Sequence, residues 1–154
     1  MIVYLLALFI GVVAGMRAMA APAMVSWAAY LGWLDLIGSW LGFLANGWVR
    51  GILTLLALVE LVTDQLPSTP SRTVPVQFGA RIATGALSGA AVGAAGGAMM
   101  GGLLTGIAGA VIGTIGGRAL RARLASAFGS DRPAAFIEDA IAIGGALLIG
   151  VALR

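Results

Sequence analysis

The chain has no cysteine, no histidine and, since all nine of its basic residues are arginines, no lysine among 154 residues. Each absence removes a chemistry. Without thiols there is no disulfide, no thiolate nucleophile and no soft metal site. Without imidazole there is no ordinary general base at neutral pH and no common ligand for zinc or haem. Charge of either sign is scarce too: Asp, Glu, Lys and Arg make up 10% of residues and hydrophobic ones 60%, where a soluble domain is about 25% charged. A mean hydropathy of +1.05 then points to lipid as the solvent. The expected fold class is all-α, a polytopic transmembrane bundle in one integral membrane domain over residues 1–154. Neither an enzyme nor a cofactor is expected from so bare a set of side chains.

The apolar runs divide into five or six membrane segments. Residues 2–30 exceed the roughly 20 needed to cross about 30 Å of hydrocarbon, so this stretch must tilt, kink or turn back; Gly11, Gly15 and Pro22 offer the break, and a helix to about Ala20 followed by a short re-entrant piece to Trp33 fits. Residues 33–48 carry Trp33, Asp35, Trp40, Asn46 and Trp48, a mixture suited to a membrane interface. A second segment over 47–66 stops at Pro67-Ser-Thr-Pro70, and a third begins near Pro75. One helix from there to Leu124 would be about 75 Å long, so Gly96-Gly-Ala-Met-Met-Gly-Gly102 should form a hairpin. A fourth segment over 101–117 with an arginine-rich extension, and a last one after Ser130-Asp-Arg-Pro133, complete the chain. If the first run crosses twice, residues 2–66 and 75–153 hold three crossings each, the arrangement of an inverted repeat.

Arg118, Arg121, Arg123 and Arg132 flank what reads as a short loop. Their clustering, with a pI near 10.6, is a topology signal and not a nucleic-acid site: the positive-inside rule puts loop 118–132 in the cytoplasm. The lipid bilayer is the first partner of such a chain.

The remaining charges fall inside the oily runs. Glu60 and Asp64 share a helix face at the end of one segment, Glu138 and Asp139 open the last, and Arg17 and Arg81 interrupt two others. On this topology the groups lie at one depth, near the cytoplasmic side. An isolated charge at the centre of a bilayer costs about 2.5–3.5 kcal/mol, so pairing, protonation or hydration must compensate it. Four carboxylates against two arginines leave an acidic excess. The cluster Glu60, Asp64, Arg81, Glu138, Asp139 and Arg17 is therefore a candidate ligand site or ion pathway for a cation, proton or small polar solute. The competing reading makes the same groups interhelical salt bridges. Unpaired oxygens in a wet cavity would favour the pathway; carboxylates closed by arginines or backbone donors would favour the scaffold.

Glycine recurs every fourth residue at Gly85, Gly89, Gly93, Gly97 and Gly101, then at Gly109, Gly113 and Gly117. Rows of this kind let helix backbones touch, within one bundle or across a homo-oligomer. Met99 and Met100 read as hairpin filler; no metal site is expected from them.

The stretches Glu60-Leu-Val-Thr-Asp64-Gln-Leu-Pro67, Arg81-Ile-Ala-Thr-Gly-Ala86 and Glu138-Asp-Ala-Ile-Ala-Ile-Gly-Gly-Ala146 together resemble the bacterial membrane family catalogued as domain of unknown function 4126. Gln65 stands where that family's pattern leads one to expect Lys, which removes a charge partner for Glu60 or Asp64. The resemblance implies a multi-pass protein of the bacterial cytoplasmic (inner) membrane and brings no activity or ligand with it. Together with the cluster it leaves two expectations: a small transport or channel-like protein acting as a homo-oligomer, or a structural or assembly protein whose charges are interhelical salt bridges and whose glycine rows pack its own helices or a partner.

Overall fold

With so few polar side chains to serve as partners, a chain of this composition must satisfy its backbone amides locally. In the computed structural model, which describes residues 1–65 and 74–154, every regular element is helical. The elements are α1 (Ile2–Met16), α2 (Ala20–Tyr30), a short 3-10 helix (Trp40–Ala45), α3 (Gly47–Thr63), α4 (Pro75–Ala95), α5 (Met99–Phe128) and α6 (Asp131–Ala152). The expected turn at Pro67–Pro70, and Arg72, lie outside the described residues.

The centre is a three-helix core of α1, α4 and α5 held at glycine distance. A Cβ on Gly11 would come within 2.2 Å of the Gly106 carbonyl oxygen, one on Gly15 within 2.3 Å of that of Ala110, and one on Gly89 within 2.4 Å of that of Gly102. Contacts rise together along α1 and α5, from Tyr4 against Gly101 to Val12 against Gly113, so the two run parallel. Between α4 and α5 they run oppositely, Gly85 meeting Gly106 and Gly93 meeting Gly102. Backbone approach of this kind substitutes dispersion and weak backbone contacts for large interlocking side chains.

This corrects the glycine rows. Gly85, Gly89 and Gly93 do form one seam, but they meet Gly102 and Gly106, which are off the four-residue register. Gly97 makes the hairpin turn at φ +70°, a left-handed conformation natural only to glycine. That turn resets the register, so Gly101 faces the Tyr4 ring instead of a backbone. Gly109 and Gly113 form a second seam, against Leu8 and Val12 of α1. Gly117 is buried further along α5.

The first run does break and turn back, at Arg17-Ala18-Met19, within a few residues of the end expected near Ala20 and at none of Gly11, Gly15 or Pro22. The two glycines are occupied in the α5 seam. Pro22 sits in the first turn of α2, where its missing N–H costs nothing. From the break α2 retraces α1 partway: Gly150 of α6 abuts Met24, and Trp27 donates to Thr54 of α3. Leu34, Leu36, Leu41 and Leu44 bury the connection to α3, leaving Trp40 and Trp48 exposed. The Asn46 side chain caps α3 by accepting from the Trp48 N–H (2.8 Å).

The loop expected over 118–132 is also corrected. Helix α5 continues through Arg118, Arg121 and Arg123 to Phe128, and the turn is confined to Gly129 (φ +65°) and Ser130. Arg, Ala and Leu are strong helix formers, and nothing interrupts them before Gly129. At 30 residues, about 45 Å, α5 is longer than the roughly 30 Å of a bilayer's hydrocarbon, and its arginines lie in its last third.

Successive helices α1 to α6 alternate in direction. Two of them, α5 and α6, are long and apolar enough to cross a membrane; α1 is apolar but has 15 residues. This is fewer than the five or six segments read from the sequence. Helix α3 has 17 residues and α2 has 11, while α4 has the length, with 21, but is built largely of Gly and Ala.

Candidate functional site

The break after α1 leaves two helix ends close together. The last carbonyls of α1 and the first amides of α2 have no partner within their own helices, and Arg17 between them is extended (φ −138°, ψ 107°). Other helices supply the partners. Arg81, on the second turn of α4, donates from Nη1 to the Gly15 and Met16 carbonyls (2.9 and 2.7 Å). Thr114 Oγ1 of α5 adds a bond to Gly15 O (3.2 Å). On the other side Glu60 accepts the Ala18 N–H at Oε1 (2.7 Å) and the Met19 N–H at Oε2 (2.8 Å). Each charge faces the complementary pole: guanidinium at a helix C-terminus, carboxylate at a helix N-terminus. They also approach each other, Arg81 Nη2 lying 3.8 Å from Glu60 Oε1.

The Arg17 side chain is fully buried and forks between two helices, Nη1 to Asp64 Oδ2 at the end of α3 and Nη2 to Asp139 Oδ1 on α6. Gln65 Nε2 donates to the other oxygen of Asp139 (2.9 Å), and Arg81 Nη2 lies 4.0 Å from Asp64 Oδ2. Glu138 is wholly buried, with Arg121 Nη1 3.7 Å from its Oε2. Through Nε and Nη2 Arg121 also holds Asp131 (2.9 and 2.5 Å), beyond the apolar part of α5. Those hydrogen bonds push the Arg121 guanidinium above its ordinary pKa.

All six residues singled out in the sequence are therefore at one end of the bundle. Glu60, Asp64, Arg81, Asp139 and Arg17 form one connected network, and Glu138 is reached from Arg121. Arg121 brings a third guanidinium and Asp131 a fifth carboxylate, so among the groups named here an acidic excess remains.

Sequence reasoning missed Arg121, Gln65, Thr114 and the backbone amides of Ala18 and Met19. For Arg121 a signal existed. It and Glu138 are equally distant from the Gly129–Ser130 turn, so an antiparallel hairpin pairs them once α5 is allowed to stay helical. For Gln65 the missing lysine obscured the role: it serves Asp139, and not Glu60 or Asp64. The amides carry no sequence signal, because they become donors only when α1 breaks.

Beside the network a cleft of about 210 Å³ opens between α2, α3 and α6; Arg17 and Glu60 line it, and most of the rest is apolar. A second groove, about 360 Å³, runs between α1 and α6 and is lined by apolar residues and Gly145. Among the described residues no three of the carboxylates converge as a metal cage would require.

Residues 4–152 match one family model, Domain of unknown function (DUF4126). The chain belongs to the DUF4126 family. No curated protein and no solved structure matches it. In this DUF4126 chain the three stretches that carried the resemblance, around Glu60, Arg81 and Glu138, are those that the fold gathers around the broken helix.

Proposed function

We propose that this chain is a small multi-pass protein of the bacterial cytoplasmic membrane, transport or channel-like, that binds or passes a proton, a cation or a small polar solute where α1 breaks. The observation that carries the reading is the pair of helix ends at Arg17–Met19, held by Arg81 and Glu60. A broken helix in lipid strands amides and carbonyls that an unbroken one would satisfy, and membrane transporters place their sites at such ends. The residual negative charge of the network suits a proton or cation. The absence of three converging carboxylates among the described residues favours a proton or monovalent ion over a divalent metal.

Orientation follows from the arginines. Arg118, Arg121 and Arg123 extend from the end of α5 that adjoins the network, and Arg132 follows directly, so this end faces the cytoplasm. Both termini then face outward, since Val3 packs on the Gly96 hairpin and α6 runs back along α1. In this reading α1 and α3 to α6 traverse the membrane and α2 re-enters partway. A homo-oligomer is part of the same proposal, because α3 buries none of its residues within the protomer.

The test is flux of protons and monovalent cations into proteoliposomes, comparing wild type with Glu60→Gln and Asp139→Asn at matched incorporation. The expected result is flux in wild type that falls about tenfold or more in either variant, which is about 1.4 kcal/mol of barrier. Equal flux in all three rejects the pathway.

One observation favours the structural alternative. Both oxygens of Glu60 and both of Asp139 have donors, and Asp64 is held by Arg17. A network closed in this way describes an interhelical lock, or a transporter in an occluded state. Flux separates the two.

A further inference from the structure

Arg50 is an arginine that the network does not use and that the positive-inside rule does not explain, since on the orientation given above it faces outward. It lies one turn into α3, about 21 Å along that helix from Asp64, and so at the opposite end of the bundle from Arg118, Arg121 and Arg123. Its surroundings hold it in place. The guanidinium carbon is 4.4 Å from the centre of the Trp27 ring and 3.8 Å from that of Tyr30, both on α2. The Trp27 ring is itself tied down: its Nε1–H donates to Thr54 Oγ1 (3.0 Å), which donates in turn to Arg50 O (2.8 Å). Aromatic faces attract a guanidinium without occupying its N–H groups, which remain able to bind an anion two at a time. None of the Arg50 side-chain N–H groups has a hydrogen bond or ion pair among the described residues. Asp35, an acid of the α2–α3 connection, is used locally, accepting the Ile37 N–H (2.9 Å).

The surrounding side chains say what meets those donors. Tyr30, Trp40, Phe43 and Trp48 are exposed at this same end of α2 and α3, and Tyr and Trp rings with one apolar and one wet side belong at the headgroup level of a bilayer. The anion present at that level is the phosphate diester, whose paired oxygens match a guanidinium edge. A free anion would leave the exposed rings uncovered, whereas a phospholipid puts its glycerol and upper acyl chains against them. We infer that Arg50, held on Trp27 and Tyr30, binds the phosphate diester of a phospholipid. This rests on the membrane reading and not on transport: absence of flux leaves it intact, and flotation of the chain with vesicles tests membrane insertion by itself.

For the test the full chain is kept in an uncharged maltoside detergent, which offers no phosphate, and given a phosphatidylethanolamine that carries a diazirine on its amine; labelled peptides are mapped. A parallel arm uses a diacylglycerol bearing the same diazirine group without the phosphate. The expected result is labelling centred on residues 27–30 and 46–50 from the phospholipid, about tenfold above the phosphate-free probe, the difference one charge-assisted hydrogen bond makes. Unlabelled phosphatidylglycerol should compete it away, and inorganic phosphate at the same concentration should not. Arg50→Gln should lower the labelling about tenfold, with Arg50→Lys in between because an ammonium lacks the fork. Arg154→Gln, at the same end of the bundle, should leave it unchanged. If Arg50→Gln does not fold, Tyr30→Leu keeps the charge, removes the nearer ring and should weaken labelling severalfold. Equal labelling by the two probes, competition by inorganic phosphate, undiminished labelling in Arg50→Gln or Tyr30→Leu, or an equal loss in Arg154→Gln overturns the assignment.

Discussion

Arg17 is the residue on which most contacts of the network depend. Its guanidinium joins the ends of α1, α3 and α6 through two carboxylates. Arg17→Gln leaves Asp64 and Asp139 facing each other with their shared cation gone. Removing one partner of a buried pair costs about 3–5 kcal/mol, and thermal unfolding in detergent should show a loss of that order. Arg17→Lys keeps the charge but not the fork, since an ammonium is a point donor, and should fall between Gln and wild type. Asp139→Asn is the milder change. It keeps one carbonyl oxygen for either Gln65 or Arg17, turns an NH2 toward the other and removes one negative charge from the network, so a loss of about 1–2 kcal/mol is expected in the same measurement. If Asp139→Asn destabilises more than Arg17→Gln, the fork is not the main tie between α1 and α6. From sequence the charged members were visible because charge in an oily run is rare. Which acid belonged to which arginine was not, since spacing along single helices says nothing about neighbours on other helices.

At the scale of elements the seams between α1, α4 and α5 carry the fold. Gly106 lies where α4 and α5 cross: its Cβ would fall 2.3 Å from the Gly85 carbonyl oxygen. Gly106→Ala therefore has to push two backbones apart, and a loss of at least about 1–3 kcal/mol is expected. Gly116→Ala is the matched control on the same helix, with nothing within 4 Å of the added methyl. It should be neutral or stabilising by up to about 1 kcal/mol, the propensity difference between the two residues. Equal effects of the two substitutions in a thermal shift assay would mean that the seam does not depend on backbone contact. Glycine spacing announced that such seams exist, yet the partner row at Gly102 and Gly106 escaped it. The left-handed turn at Gly97 rotates α5 out of the register that α4 began, and a period read along the chain cannot see a rotation between two helices.

The whole molecule poses the question of sides. Its lack of cysteine makes every introduced thiol unique. In inside-out and right-side-out vesicles, Ala98→Cys in the outer hairpin should react with an impermeant maleimide only from outside, and Ser126→Cys, exposed at the arginine-bearing end of α5, only from inside. Thiols added at the two termini should both react from outside. Opposite labelling of the termini would mean that α2 does not return the chain, and the six alternating helices would have to be redrawn.

What the amino-acid order determined by itself is the strongly apolar composition, the helical class, the start of α4 at Pro75, the hairpin near Gly97, the start of α6 and the short inventory of charges. All are local: composition, periodicity and breaker residues act within a few turns of chain. Only the tertiary structure decided which residues hold the break in α1, that α5 continues to Phe128, which glycines touch and that Arg121 and Gln65 join the network. A helix end buried inside the bundle is tolerable only where another helix offers Arg81 or Glu60 to its bare carbonyls and amides. The position of such a break is therefore a property of the assembled bundle and not of residues 2–30.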